Sequence, residues 1–282
     1  MLRFIESIYY SRLMPHQLRR ILGTFYFLNF ELGRPYYASG LLPSNFRWSL
    51  KTQNALAFAY GYLPSIKAMV PVDAENRPLP WYTYPAIDFL RQLDFREKTV
   101  FEYGSGNSTL FWGTVAKKVV SVENDEAWYK RIASEVPPNC ELVLATTPEA
   151  YIRSIRSYPG GFDVIVVDGL PDNFGRYRAA REAVSHLNEG GLIILDNSDW
   201  LPTSSRFLRD SGLLEVDMTG PGPVNRYMWT TSLFFHRMFD FPSKTQRRPM
   251  PGIGGVDQIW ETGRPPDVAN ENLLIADHEA LK

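Results

Sequence analysis

A single cysteine, Cys140, and four scattered histidines, His16, His186, His236 and His278, are all that this 282-residue chain offers as soft metal ligands. One thiol forbids an internal disulfide, and histidines so far apart do not make a zinc cluster. Basic and acidic residues nearly balance, 30 against 31. The formal net charge is −1, so no basic field points to nucleic acid and no such partner is expected. Long apolar runs are absent as well: the most hydrophobic one, residues 21–30, is bounded by Arg20 and Glu31 and is too short to span a bilayer. The start of the chain carries Glu6 soon after Arg3, which does not read as a secretory leader, and cytoplasmic residence is the expectation. No internal repeat appears.

What remains describes an ordinary soluble protein, 44% hydrophobic and 22% charged, long enough for one large domain with extensions. Its organising stretch is residues 100–109, Val-Phe-Glu-Tyr-Gly-Ser-Gly-Asn-Ser-Thr. A strand runs into two glycines spaced by one residue, and a helix-competent segment follows. Gly104 and Gly106 free the backbone and clear side chains from the path of a ligand. The helix start behind them presents unpaired N–H groups. Residues 118–123, Lys-Val-Val-Ser-Val-Glu, read as a second strand ending in an acid 19 positions after Gly104. That spacing sets a carboxylate against ribose hydroxyls in a Rossmann-like sheet.

Glu102-Tyr103-Gly104-Ser105-Gly106 resembles the first motif of the class I S-adenosylmethionine-dependent methyltransferases. Position 109 is Thr, where a dinucleotide fingerprint has Gly, and Ser108 stands at the third small position of the methyltransferase pattern. The resemblance implies S-adenosylmethionine as cofactor, with Glu102, Gly104, Ser105, Gly106 and Ser108 around its methionine portion, Glu123 on its ribose and Asp168 also among the cofactor-binding residues.

Three regions are expected. Residues 1–80 form a helical and aromatic extension, with Arg3, Arg12, Arg19 and Arg20 outnumbering Glu6 and Glu31 in its first part. Residues 1–30 read either as a cap on the core or as an interfacial segment in peripheral contact with a membrane or partner. Residues 81–240 form the cofactor-binding domain. Residues 71–81 read as a surface connection into it, and Thr83-Tyr84-Pro85 opens a helix whose apolar face runs to Leu93. Alternating strands and helices follow, with strands at 140–145, 162–168 and 192–195 and a turn at 188–191. Residues 213–219 and 231–237 close the sheet. The fold class is thus α/β: a doubly wound, mostly parallel seven-stranded sheet with an antiparallel last strand and a helical N-terminal extension. Residues 241–282, rich in Pro and Gly, read as a tail, poorly ordered or draped over the domain.

Ligands of open parallel sheets bind beyond the carboxyl ends of the strands. Glu102, Glu123, Asp168, Asp196 and Asn197 all fall at that edge. The trio Asp168, Asp196 and Asn197 is suited to a hard divalent cation and resembles the magnesium ligands of the catechol-type and macrocin-type O-methyltransferases. There, Asp168 and the metal would hold and activate an acceptor hydroxyl. Alternatively Asp168 orients its loop and Asp196-Asn197 caps the next segment. The lysine base of the catechol group is replaced by Pro171, which leaves Asp172 and His186 as candidate bases. Residues 220–229, with Asn225, Arg226, Tyr227 and Trp229, are suited to an oxygen-rich acceptor such as a sugar. The reading is a methyltransferase acting on a hydroxyl of a small-molecule or glycan acceptor, with no oligomeric state implied. The competing readings are an aminopropyl transferase and a cofactor-binding subunit without catalysis.

Overall fold

The computed structural model describes residues 52–170, 174–245 and 247–255. The two readings of residues 1–30, cap or interfacial segment, lie outside the described residues, as do Pro171 and Asp172.

Seven strands form one sheet in the order β3-β2-β1-β4-β5-β7-β6. They are β1 (Thr99–Tyr103), β2 (Lys118–Glu123), β3 (Cys140–Leu144), β4 (Phe162–Val167), β5 (Leu187–Asp196), β6 (Leu214–Gly220) and β7 (Trp229–Phe235). The pairings from β3 through β5 are parallel. β7 runs antiparallel to both of its neighbours, as expected of the last strand. β4 is central and flanked on both sides, which its apolar run from Val164 to Val167 permits.

The side chains alternate between two cores. Val100, Val164, Val166, Leu192, Ile194 and Leu233 face α2 (Tyr84–Leu90) and α3 (Asn107–Val115). Phe101, Tyr103, Ile165, Val167, Ile193, Leu195 and Phe234 face the opposite layer. That layer holds α5 (Pro148–Arg153), α6 (Gly175–His186) and α7 (Pro202–Asp210), whereas α1 (Tyr62–Ala68) precedes the core and α4 (Glu126–Ala133) joins β2 to β3. Period-two burial on both faces is what a doubly wound sheet imposes on its strands.

Three expectations change in detail. Residues 188–191 are not a separate turn but part of β5, which begins at Leu187. The glycine signal marks a bulge instead: the β4–β5 register shifts there, and Gly190 has φ +75°. Residues 71–81 are more firmly tied than a surface connection. Val72 bridges to Pro78, Val72 and Leu79 are buried, and Asp73 accepts from Arg77 Nε at 2.7 Å. The described part of the C-terminal tail is draped on the domain: Leu93 bridges to Ser243, and Phe241 is buried against Phe95 at 5.8 Å between ring centroids. Among the described residues no helix is long and apolar enough to cross a membrane.

Candidate functional site

The glycine turn connects β1 to α3. Gly104 has φ +112°, a conformation that side-chain-bearing residues avoid, and its N–H donates to the Val122 carbonyl at 2.9 Å. Behind the turn lies Glu102, 1% exposed. Its Oε2 accepts from the hydroxyls of Thr109 (2.6 Å) and Ser121 (2.8 Å), while Oε1 is buried without a hydrogen-bond partner. Burial pushes this carboxyl up to about 7, against the pull of the Ser108, Thr109 and Ser121 hydroxyls. A buried acceptor oxygen with no donor is costly unless a ligand meets it.

Glu123, at the end of β2, accepts on Oε1 from the N–H groups of Asn124 (2.8 Å) and Asp125 (2.9 Å) and on Oε2 from Ser105 Oγ at 2.6 Å. Trp128 Nε1 donates to the Ser105 carbonyl at 2.8 Å. The two halves of the motif, the Gly-Ser-Gly turn and the distant acid, are therefore bonded to each other.

At the ends of β4 and β5 the organising residue is one the sequence reading passed over, Arg176. It is buried on α6 and makes five hydrogen bonds, as many as a guanidinium has N–H donors. Nε donates to the Gly169 carbonyl (3.1 Å). Nη1 donates to the Asp196 carbonyl (2.6 Å) and Asn197 Oδ1 (2.9 Å). Nη2 donates to the Asp168 carbonyl and to its Oδ1, both at 3.0 Å. Burial raises the Asp168 carboxyl and Arg176 pulls it back down. The Asp196 carboxyl turns elsewhere: Oδ1 accepts from Trp229 Nε1 (3.0 Å) and Thr231 Oγ1 (2.6 Å). Burial and then the nearby Asp168 push it up to about 8.

Residues 101–198 match the family model of a methyltransferase domain. Over that span the chain resembles a class I S-adenosylmethionine-dependent methyltransferase domain. No curated protein matches the sequence. Solved structures similar to it include a methyltransferase from Pyrococcus furiosus, 21% identical, covering 54% of this chain and 82% of that one at a TM-score of 0.42. An rRNA methylase from Streptococcus thermophilus is 15% identical, covering 54% and 94% at 0.41. The N-methyltransferase NodS from Bradyrhizobium japonicum is 16% identical, covering 54% and 93% at 0.42.

Within this methyltransferase domain the residues Glu102, Gly104, Ser105, Gly106, Ser108 and Glu123 converge on one turn. A positive-φ cradle, an unpartnered buried oxygen and a carboxylate at the end of β2 fit the S-adenosylmethionine that the domain requires. Magnesium fits less well. Asp168 Oδ1 and Asn197 Oδ1 already accept from a fixed cation, and the Asp196 carboxyl accepts from Trp229 and Thr231. Among the described residues no cluster of three or more His, Cys, Asp or Glu is placed to hold a metal.

His186 is the last residue of α6, beside the start of β5. It stands at the amino edge of the sheet, away from Asp168, so it does not serve as a base there. Of the aromatic residues before β1, Trp81 is exposed, whereas Tyr82 and Tyr84 are buried. Tyr82 accepts from Trp112 Nε1 at 3.4 Å, and its hydroxyl is raised well above its ordinary range by burial and then by Glu102 and Asp168.

Proposed function

We propose that the enzyme methylates a hydroxyl of a saccharide-like small molecule, with Asp168 taking the hydroxyl proton. The observation that carries this reading is a ladder of aromatic rings at the carboxyl edge. Trp200, 57% exposed, and Tyr227, 51% exposed, lie 5.9 Å apart between ring centroids. Tyr227 in turn lies 6.0 Å from Trp229, whose indole N–H is bonded to Asp196. Exposed rings that lead inward to carboxylates suit an acceptor with an apolar ring face and hydroxyls on its rim. Asn225 and Arg226, in the same loop, supply polar contacts.

Glu102, Gly104, Ser105, Gly106 and Ser108 would hold the methionine portion of the cofactor, and Glu123 would take the ribose hydroxyls on Oε2 beside the Ser105 bond. Bound there, S-adenosylmethionine supplies a methyl group on a positively charged sulfur. The chain's part is to orient the acceptor oxygen and remove its proton. Asp168, directly after β4, would do this: Arg176 holds Oδ1 and leaves the second oxygen unengaged by the guanidinium. A base within hydrogen-bond reach contributes roughly 100- to 10,000-fold.

The test incubates the protein with methyl-labelled S-adenosylmethionine and separate pools of oligosaccharides, aromatic alcohols, amines and RNA, while calorimetry measures S-adenosylhomocysteine binding. Label on saccharide hydroxyls, lost in Asp168→Asn, is expected. Label confined to amines or RNA would reject the acceptor, and tight nicotinamide dinucleotide binding in place of S-adenosylhomocysteine would reject the cofactor.

A further inference from the structure

Two of the side-chain oxygens a divalent cation would need at this edge, Asp168 Oδ1 and Asn197 Oδ1, already share a cation, and the third group, the Asp196 carboxyl, accepts from Trp229 and Thr231. Arg176 reaches the ends of two adjacent strands with one planar group: Asp168 and Gly169 after β4, and Asp196 and Asn197 at the end of β5. Both segments have backbones that need such a tie. Leu170 has φ +46° and Asn197 φ +54°, so each turns through the left-handed region where few side chains are at ease.

We infer that the Arg176 guanidinium is a built-in cation, standing where this oxygen cage would otherwise hold a divalent metal and positioning Asp168. A second cation among the same oxygens would meet like charge at close range and have to displace bonds already made. A guanidinium stays protonated throughout the working pH range. Unlike a metal, it cannot be removed by a chelator. An acceptor at this site is therefore not held by metal chelation and does not need two adjacent hydroxyls. Lysine would keep the charge but lose the planar fork that spans both strands. The cage and its occupant stand on geometry alone; only the positioning of Asp168 for catalysis rests on the methyltransferase reading.

The test uses Mn²⁺ alone as probe, followed by water-proton relaxation on the full chain, with calorimetry of S-adenosylhomocysteine in parallel. The wild-type protein should bind no stoichiometric Mn²⁺. Arg176→Ala should acquire one Mn²⁺ site, weakened at least ~10-fold by adding Asn197→Ala. Arg176→Lys, still charged, should again exclude the metal. A residue that only stabilised the fold would not uncover a metal site when removed. Arg176→Gln, which keeps bulk and polarity, serves if the alanine variant does not fold. One Mn²⁺ on the wild-type protein that Asn197→Ala removes would overturn the inference, as would folded Arg176→Ala and Arg176→Gln variants that both ignore Mn²⁺. Absence of S-adenosylhomocysteine binding would count against the cofactor reading instead, so the two failures are distinguishable.

Discussion

The hydroxyl oxygen of Tyr151 stands 1.8 Å from the point where a Cβ on Gly169 would lie. Tyr151 is fully buried, and its hydroxyl has no hydrogen-bond partner. That same Cβ would lie 3.1 Å from the Gly104 backbone nitrogen. Gly169 is therefore small for a packing reason: the turn after β4, the cofactor turn after β1 and an α5 tyrosine meet at one place.

Gly169→Ala should overpack this junction and cost about 1–3 kcal/mol. Tyr151→Phe removes a buried hydroxyl that bonds to nothing, so alone it should be neutral or stabilising. Combined with Gly169→Ala it should recover part of the loss. Urea denaturation of the two single variants and the double variant reads the coupling. Additive losses would mean that the hydroxyl is not the obstacle.

Ser105→Ala should weaken S-adenosylhomocysteine about 5-fold, because Glu123 loses one donor that fixes its rotamer, a bond worth about 1 kcal/mol. Glu123→Ala should weaken it roughly 10- to 100-fold, since hydrogen bonds to a charged group are worth about 1.5–3 kcal/mol. Equal losses in the two variants, measured by calorimetry, would place the ribose elsewhere.

Stability should fall as pH rises from about 4.5 to about 7. Glu102 keeps its proton up to about 7 when folded, against an ordinary 4.5, so the folded state binds more protons than the unfolded one in that window. Asp196, raised to about 8, extends the decline. Glu102→Gln cannot ionise but still accepts from Thr109 and Ser121. It should therefore be stabilised relative to wild type at pH 8 by up to about 3 kcal/mol, and little at pH 5. A wild-type melting temperature that rose between pH 5 and 7.5 would contradict this sign.

Trp200→Ala and Tyr227→Ala should raise acceptor KM by several-fold to about tenfold and leave S-adenosylhomocysteine affinity unchanged, because stacking on exposed rings contributes about 1 kcal/mol. A fall in kcat with KM unaltered would assign the rings to positioning the reacting edge and not to holding the acceptor.

The sheet and the Gly104 to Gly106 turn are legible along the chain. Both are written locally: the short β-branched apolar run of β4 between turn signals suits a buried strand, and the Gly104-Ser105-Gly106 spacing with Glu123 needs no knowledge of distant residues. The closing pair β6 and β7 was legible for the same reason. The other half of the site depends on contacts between segments far apart along the chain. Asp168, Asp196 and Asn197 read as a metal trio because oxygen ligands at strand ends have the same signature whether a metal or a guanidinium lies between them. Arg176 sits on a helix among other arginines, and nothing in its neighbours in sequence marks it as the one turned inward. What turns it inward is the chance to bond five acceptors at two strand ends, separated from it by up to 21 positions. Gly169 was hidden similarly, since the ring that forbids its side chain belongs to Tyr151 on another element. Contacts of this kind depend on the sheet bringing β4, β5 and α5 side by side, which no pattern along the chain records.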